Sequence, residues 1–151
     1  MPQSLAAVHV HLIFSTKERH PFLHNKILRE ELHAYLGGIS KQLDCPPVRV
    51  GGVEDHVHIL AHLGRTIALA DWVKELKRVS SIWLKEKNPD LGKFQWQAGY
   101  AAFSVSQSNL EQVENYVAEQ DEHHRKMSYQ DELRAFFHKH EQDYDERFVW
   151  D

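Results

Sequence analysis

The segment EDHVHILAHL, residues 54–63, holds two histidines separated by a single valine. Side chains alternate between the two faces of a β-strand, so His56 and His58 are predicted to leave the same face. Two imidazoles at that spacing can bind one metal ion. The opposite, buried face of the strand would be formed by Val57, Ile59, Ala61 and Leu63.

A tyrosine and a glutamine four residues apart lie farther along the chain. On a helix, Tyr116 and Gln120 would reach the same neighbouring surface, because four residues make about one turn. The amide oxygen of Gln120 is a suitable hard third ligand for a divalent ion, and Tyr116 could supply the nucleophile that attacks a phosphodiester. Among the five tyrosines only Tyr116 has glutamine at the fourth following position. The alternative is that Tyr116 only packs an amphipathic helix.

A pair of histidines around one apolar residue is weak evidence of a metal site when it stands alone. A second pair, His9 and His11, occurs in the alternating run of residues 7–15. No acidic residue precedes that pair, and no matching partner accompanies it. We therefore expect His9 and His11 to line the same face of the sheet without binding the metal directly.

The length and the cysteine content indicate the class of protein. A chain of 151 residues predicts one domain, 1–151, with a C-terminal helical extension at 127–151. Its single cysteine, Cys45, cannot form an internal disulfide. No stretch resembles a signal peptide or a membrane span. These features predict a cytoplasmic protein with no membrane partner.

The net charge of −4 by itself argues against a nucleic-acid partner. The distribution of charge weakens that argument, because residues 1–87 carry 12 Lys and Arg against 9 Asp and Glu, whereas residues 88–151 carry 6 against 13. The basic side chains could contact phosphates, or they could form an ordinary solvated surface. The candidate DNA-binding residues are Lys17, Arg19, Lys74, Lys77, Arg78 and Lys85.

The order of predicted elements defines the fold class. A first strand at 7–15 precedes a helix that Asn25 caps, a hairpin of residues 48–50 and 56–63 follows, and Thr66 caps the next helix. A strand at 100–105 is followed by helices at 108–126, which begins with a capping box at Ser108 and Glu111, and at 129–140. The order β-α-β-β-α-β predicts an α+β, ferredoxin-like (split βαβ) antiparallel sheet with helices on one face plus added C-terminal helices. The first strand and the His56 strand should lie near its middle.

Three segments together resemble the single-tyrosine transposases of the HUH superfamily. They are Glu-Asp-His-Val-His-Ile-Leu at 54–60, Val-His-Leu-Ile-Phe-Ser-Thr-Lys at 10–17, and Asn-Tyr-Val-Ala-Glu-Gln-Asp-Glu-His-His at 115–124. Members of this family are small enzymes of insertion sequences that move as single-stranded DNA, together with domesticated relatives at repetitive palindromes. The resemblance covers nearly the whole chain, with the motifs in the family's order.

The resemblance implies a metal-dependent DNA transposase or nickase that cleaves and rejoins single-stranded DNA near hairpins. It implies that His56 and His58 bind a divalent metal, Mg or Mn, and that Gln120 completes the ligand set. It further implies that Tyr116 attacks DNA, leaving a 5′-phosphotyrosine and a free 3′-hydroxyl. The implied partners are single-stranded DNA with a hairpin and a second copy of the chain in a homodimer.

Two features depart from the family's pattern: the acidic C-terminal part, and a tail after Lys126 that is longer than minimal members need. Either favours a regulated or domesticated protein over a mobile element's own enzyme. The alternative function is therefore a non-catalytic protein of the same fold that binds structured nucleic acid. A hydrolase of small phosphoesters is a third hypothesis, but the spacing of His62 from His58 does not fit the even triple-histidine pattern of nucleotide hydrolases.

Overall fold

The computed structural model describes residues 2–151, in which four strands form one antiparallel sheet in the order β2-β3-β1-β4. Both β1 and β3 lie in the middle of the sheet, as predicted. The predicted α+β, ferredoxin-like fold is confirmed. The strands are β1 His9–Ser15, β2 Pro47–Val53, β3 His56–His62 and β4 Ala101–Val105.

Residues 2–151 form five α-helices that pack around the sheet. None of the helices in residues 2–151 combines the length and the apolar character needed to cross a membrane. The helices are α1 Lys26–Gln42, α2 Leu69–Lys87, α3 Leu110–Ala118, α4 Gln120–His123 and α5 Tyr129–Lys139.

One face of the sheet packs against α1 and α2 and forms the larger apolar core. The predicted cap of α1 is present, since the side chain of Asn25 accepts a hydrogen bond from the backbone N–H of Leu28 at 3.1 Å. Apolar residues then recur every three or four positions, which turns one stripe of α1 toward the sheet. The strands contribute Val10, Leu12, Phe14, Val57, Ile59 and Ala61 to this core.

The other face of β1, β3 and β4 is covered by α5. Its apolar residues Tyr129, Leu133 and Phe137, spaced four apart, pack against Ile13, Ala101 and Phe103 of the sheet. Ser128 caps α5 by accepting a hydrogen bond from the backbone N–H of Asp131 at 3.2 Å. The added C-terminal helix therefore closes the face from which the histidines of β1 and β3 project.

Two predicted helix starts are wrong. Helix α2 begins after Ala68 without a side-chain cap, so Thr66 does not cap it. The hydroxyl of Ser108 pairs with that of Ser106 at 3.1 Å in a short 3-10 turn, and α3 starts only at Leu110. Serine side chains can bond locally in this way instead of capping a helix.

The helix predicted for residues 108–126 is divided at Glu119 into α3 and α4. At this break the side-chain amide of Gln120 donates to the carbonyl of Tyr116 at 3.1 Å. Helix α3 lies very close to β2, because a Cβ added to Gly51 would stand 2.2 Å from the carbonyl oxygen of Val117. Only glycine permits this approach, and it sets the position of the helix that carries Tyr116.

Candidate metal centre

His56 and His58 project from one face of β3 and are fully buried. Their ring centroids lie 5.2 Å apart. Because β3 pairs with β1 on one side and β2 on the other, the backbone that carries both imidazoles is held from two directions. The strand and the shared face agree with the sequence prediction.

The outward nitrogens of both imidazoles are already engaged. Nδ1 of His56 lies 2.7 Å from Oδ1 of Asp55, and Nδ1 of His58 lies 2.8 Å from Nε2 of His11. In the tautomer in which each Nδ1–H donates to its partner, the Nε2 lone pairs are available to a metal ion. In the other tautomer of His58, Nε2–H donates to Glu132 and Nδ1 accepts from His11. The Nε2 atom of His56 is buried and has no hydrogen-bond partner. This unpaired nitrogen, in a ring that a carboxylate orients from the other side, fits a metal ligand.

Two further donors, His124 and Glu132, complete a cluster around the same point. Oε1 of Glu132 lies 2.9 Å from Nε2 of His58, 3.2 Å from Nε2 of His124 and 3.5 Å from Nε2 of His56. One ligand atom from each of the four residues lies within 4.8 Å of all the others. The sequence interpretation gave neither residue a role. His124 belongs to a conspicuous His-His pair, whereas nothing near Glu132 in the sequence distinguishes it.

The predicted third ligand, Gln120, borders this cluster. Its side chain is buried, and its Oε1 atom lies 3.1 Å from Nε2 of His124. The structure thus places Gln120 beside an imidazole of the cluster. Its role as a ligand stays a prediction. His62, by contrast, lies against His9 at the end of β3 and is not part of the group.

Tyr116 lies beside the imidazoles of its own chain. Its hydroxyl donates a hydrogen bond to Oε2 of Glu132, and its ring centroid is 5.9 Å from that of His58. Glu132 therefore joins the phenol, through one oxygen, to the three imidazoles around the other. Burial, followed by the negative charge of Glu132, raises the pKa of Tyr116 well above its usual range.

Burial and charge act against each other throughout the cluster. Burial lowers the pKa of His58 to about 4, although Glu132 opposes the shift. Burial would lower the pKa of His56, but the hydrogen bond to Asp55 and the nearby carboxylate of Glu132 together outweigh it and raise the pKa. Burial would also favour the neutral acid of Glu132, but hydrogen bonds from the imidazoles lower its pKa far below the usual range. Glu132 is therefore a buried carboxylate whose charge the histidines stabilise.

A cavity of about 390 Å³ opens beside Tyr116, between α3 and α5. Its walls are mostly apolar, with amides and one lysine at the rim. Both Tyr116 and Glu132 line it, so the cavity gives access to the phenol. The other lining residues include Asn109, Gln112, Met127, Phe136 and Lys139.

The predicted DNA-binding residues fall in two places. Lys17 and Arg19 follow β1 directly, and the last residue of β1 pairs with His56. Burial raises the pKa of Tyr129, which lies against His56, and the positive charge of Arg19 opposes that rise.

The other four basic residues lie on α2, which packs against the opposite face of the sheet. Lys74 and Lys85 are exposed, and Arg78 pairs with Glu75 at 2.7 Å. The ammonium of Lys77 donates to the carbonyls of residues 97, 98 and 99, and burial lowers its pKa to about 8. Lys77 therefore stabilises the backbone of residues 97–99. The structure does not bring α2 to the imidazoles.

Sequence reasoning missed a second basic group. A cavity of about 320 Å³ lies between α1 and β2, and Gln120 also borders it. Its charged lining consists of the basic Lys26, Arg29 and Arg49 and the acidic Glu30 and Asp121, and Asp121 lies 3.8 Å from Arg29. The three basic residues are scattered along the sequence, and only the packing of α1 against β2 assembles them.

Known proteins share both the sequence pattern and the fold. A model of the family described as "Transposase IS200 like" matches residues 4–120. A protein from Deinococcus radiodurans R1, provisionally described as a transposase, has a similar crystal structure, with 26% sequence identity and a TM-score of 0.61. The alignment covers 80% of this chain and 95% of that one.

A second solved structure is that of a REP-associated tyrosine transposase bound to a REP hairpin. Its TM-score is 0.58, with coverage of 82% of this chain and 72% of that one. At 10% identity the likeness is one of fold. No curated protein matches the sequence.

Proposed function

Because this chain belongs to the IS200-like transposase family, we propose that it cleaves and rejoins single-stranded DNA through a 5′-phosphotyrosine on Tyr116. The observation that carries the proposal is that Glu132 accepts a hydrogen bond from the Tyr116 hydroxyl on Oε2, while its Oε1 lies 2.9 Å from Nε2 of His58 and 3.5 Å from Nε2 of His56. The proposed nucleophile and the proposed metal ligands thus belong to one chain and lie close together. That is the arrangement that metal-assisted phosphodiester cleavage requires.

In the proposed reaction, the phenolic oxygen of Tyr116 forms a bond to the scissile phosphorus. The bond between that phosphorus and the 3′ oxygen of the preceding nucleotide breaks, and the 3′ oxygen leaves with the electron pair. The net result is a phosphotyrosine and a 3′-hydroxyl that has gained the phenolic proton. Rejoining is the reverse attack by a 3′-hydroxyl, which restores free Tyr116.

We propose that His56 and His58 hold the metal, predicted as Mg or Mn, with Gln120 as the third ligand. A bound divalent ion would polarise the phosphodiester and lower the cost of forming a phenolate next to Glu132. The chain's own contribution is to orient the ligands. Asp55 and His11 fix the imidazoles through Nδ1, and the sheet holds both rings on one face.

The proposed substrate is single-stranded DNA next to a hairpin. The hairpin in the structure of the REP-associated relative supports this choice. Lys17 and Arg19, which follow β1 directly, are the proposed phosphate contacts, and the cavity beside Tyr116 gives a strand access to the phenol. The homodimer stays a prediction. Tyr116 lies beside the imidazoles of its own chain, so the proposed site does not need a second copy to bring the phenol to them.

The test is covalent capture. Incubation with hairpin-bearing single strands and Mn²⁺ should yield a protein–DNA adduct that survives denaturing electrophoresis. Tyr116→Phe should abolish the adduct, because it removes the attacking oxygen and keeps the aromatic ring. Tyr144→Phe, which changes an exposed tyrosine, is the matched control and should leave the adduct intact. An adduct that persists in Tyr116→Phe would reject the nucleophile.

His56→Ala should abolish cleavage while hairpin binding, measured by gel shift, is retained. The reason is that His56 is proposed to hold the metal and not the DNA. Unchanged cleavage would reject the metal site. Hairpin binding by the unmodified protein with no adduct under either Mg²⁺ or Mn²⁺ would favour the alternative, a protein that binds structured DNA without cutting it.

A further inference from the structure

The metal-binding cluster extends beyond the part of the chain that matches the family. The family match ends at residue 120, whereas His124 and Glu132 lie after it. Both residues nevertheless place a ligand atom within 4.8 Å of those of His56 and His58. Glu132 belongs to α5, which lies in the predicted extension 127–151. This C-terminal segment therefore contributes directly to the centre.

The distances suit shared coordination. Metal bonds to imidazole nitrogen and carboxylate oxygen are about 2.0–2.2 Å long, so any two ligand atoms of a tetrahedral site stand about 3.4 Å apart. The four ligand atoms, all within 4.8 Å of one another, need to move by less than about 1 Å to meet that geometry. Glu132 is 1% exposed, and the buried Nε2 of His56 has no hydrogen-bond partner. Both groups therefore face the interior of the protein, where a bound metal ion would contact them.

We propose that His124 and Glu132 are metal ligands together with His56 and His58, and that the resulting centre selects imidazole-binding transition metals over Mg²⁺. Mg²⁺ prefers oxygen ligands and keeps several waters, whereas imidazole suits Zn²⁺ and its neighbours. Three imidazoles and one carboxylate therefore predict the affinity order Zn²⁺, Co²⁺, Mn²⁺ and, far weaker, Mg²⁺. This inference rests on the proposed function only in placing the metal at His56 and His58. It assigns the remaining ligand positions to His124 and Glu132 in place of Gln120, and it replaces Mg²⁺ by a transition metal.

A second consequence concerns α5 itself. A metal held by β3 and by Glu132 would fasten α5 to the sheet, in addition to the apolar contacts of Leu133 and Phe137. The free oxygen of Glu132 would still accept the hydrogen bond from Tyr116. Metal binding would then also fix the position of the phenol.

The experiment measures metal affinity without DNA. The full chain, stripped with a chelator, is titrated with Zn²⁺, Co²⁺, Mn²⁺ and Mg²⁺ at pH 7 by calorimetry, and Co²⁺ binding is also followed by visible absorption. We expect Mg²⁺ to bind at least about 100-fold more weakly than Zn²⁺. Glu132→Gln and His124→Ala should each weaken Zn²⁺ binding by at least about tenfold and alter the Co²⁺ spectrum. His138→Ala on the exposed side of α5 is the matched control and should change neither.

Hydrogen exchange gives a readout that affinity does not. Zn²⁺ should slow amide exchange in residues 129–139 of the unmodified protein and of His138→Ala, but not of Glu132→Gln. If Glu132→Gln does not fold, Glu132→Asp keeps the charge, shortens its reach and should weaken Zn²⁺ binding in the same direction.

Equal affinities for Mg²⁺ and Zn²⁺, or unchanged Zn²⁺ affinity in both Glu132→Gln and His124→Ala, would overturn the inference. Tighter metal binding in Glu132→Gln would also overturn it, because Glu132 would then be an internal competitor for the site. Adduct formation is assayed separately in the same preparations. A protein that binds Zn²⁺ as expected but forms no adduct would refute the proposed function and leave the ligand set in place.

Discussion

The two faces of the central strands differ in chemistry although they alternate residue by residue. Val57, Ile59 and Ala61 point to α1 and α2 and belong to the larger apolar core. His56 and His58, on the same strand, point to the other face, where they meet His124 and Glu132. The first face stabilises the fold by burying apolar surface. The second face carries a polar cluster whose members form hydrogen bonds and ion pairs with one another. The comparison separates residues that stabilise the fold from residues that serve the proposed reaction.

The largest expected effect comes from comparing substitutions of Ile59 and His58, which are adjacent in sequence but point to opposite faces of the sheet. Ile59→Ala should reduce the free energy of unfolding by about 2–5 kcal/mol, because it removes a fully buried side chain from the larger core. Denaturant unfolding measures the loss. Adduct formation per folded molecule should be unchanged.

His58→Gln, one residue away on the other face, should have the reverse pattern, with adduct formation lost and most of the stability retained. If the two variants lost stability and activity in parallel, the division of labour between the faces would be wrong.

The next effect concerns the seam where β2 meets α3. Gly51→Ala would place a methyl group 2.2 Å from the carbonyl oxygen of Val117, so α3 must shift. We expect a loss of about 1–3 kcal/mol in unfolding free energy, and a lower rate of adduct formation because Tyr116 moves with α3. Thermal unfolding and the capture assay measure both.

Gly38→Ala is the matched control for that substitution. Nothing lies within 4 Å of a Cβ at this helical position, so it should instead add about 0.5–1 kcal/mol. A Gly51→Ala protein as stable and active as Gly38→Ala would show that α3 is not held by this approach.

The smallest expected effect is a pH dependence of the folding stability, which we assign to His33 on α1. Burial, followed by the charge of Arg29, lowers the pKa of His33 to about 4. Between pH 6.5 and 4 the unfolded chain therefore binds a proton that the folded chain does not, so stability falls as the pH falls. We expect His33 to account for about 1–2 kcal/mol of that loss, after allowance for partial solvent screening.

His33→Gln should flatten the stability profile over this range, as measured by urea unfolding at several pH values. The exposed His138→Gln should leave the profile unchanged. A profile that is equally steep in both variants would assign the pH dependence to other groups.

Local sequence patterns determined most of the fold and half of the centre. The alternation of residues 54–63 predicted the strand, its buried face and the shared direction of His56 and His58, because side-chain direction in a strand depends only on position. The helix cap at Asn25 and the spacing of the apolar residues on α5 likewise depend only on residues within one or two helical turns, so the sequence reveals them. The predicted cap at Ser108 was wrong because its hydroxyl pairs locally with that of Ser106, and the predicted cap at Thr66 was wrong because α2 begins only after Ala68.

Only the tertiary structure decided the rest of the centre. Glu132 lies 74 residues from His58 and reaches it because α5 packs its apolar side on the sheet. His11 becomes the hydrogen-bond partner of His58 through the pairing of β1 with β3, a role that its own neighbours in sequence do not reveal. Local periodicity specifies which way a side chain points. Which distant groups it meets depends on how the apolar faces of separate elements pack together, and that is a property of the whole chain.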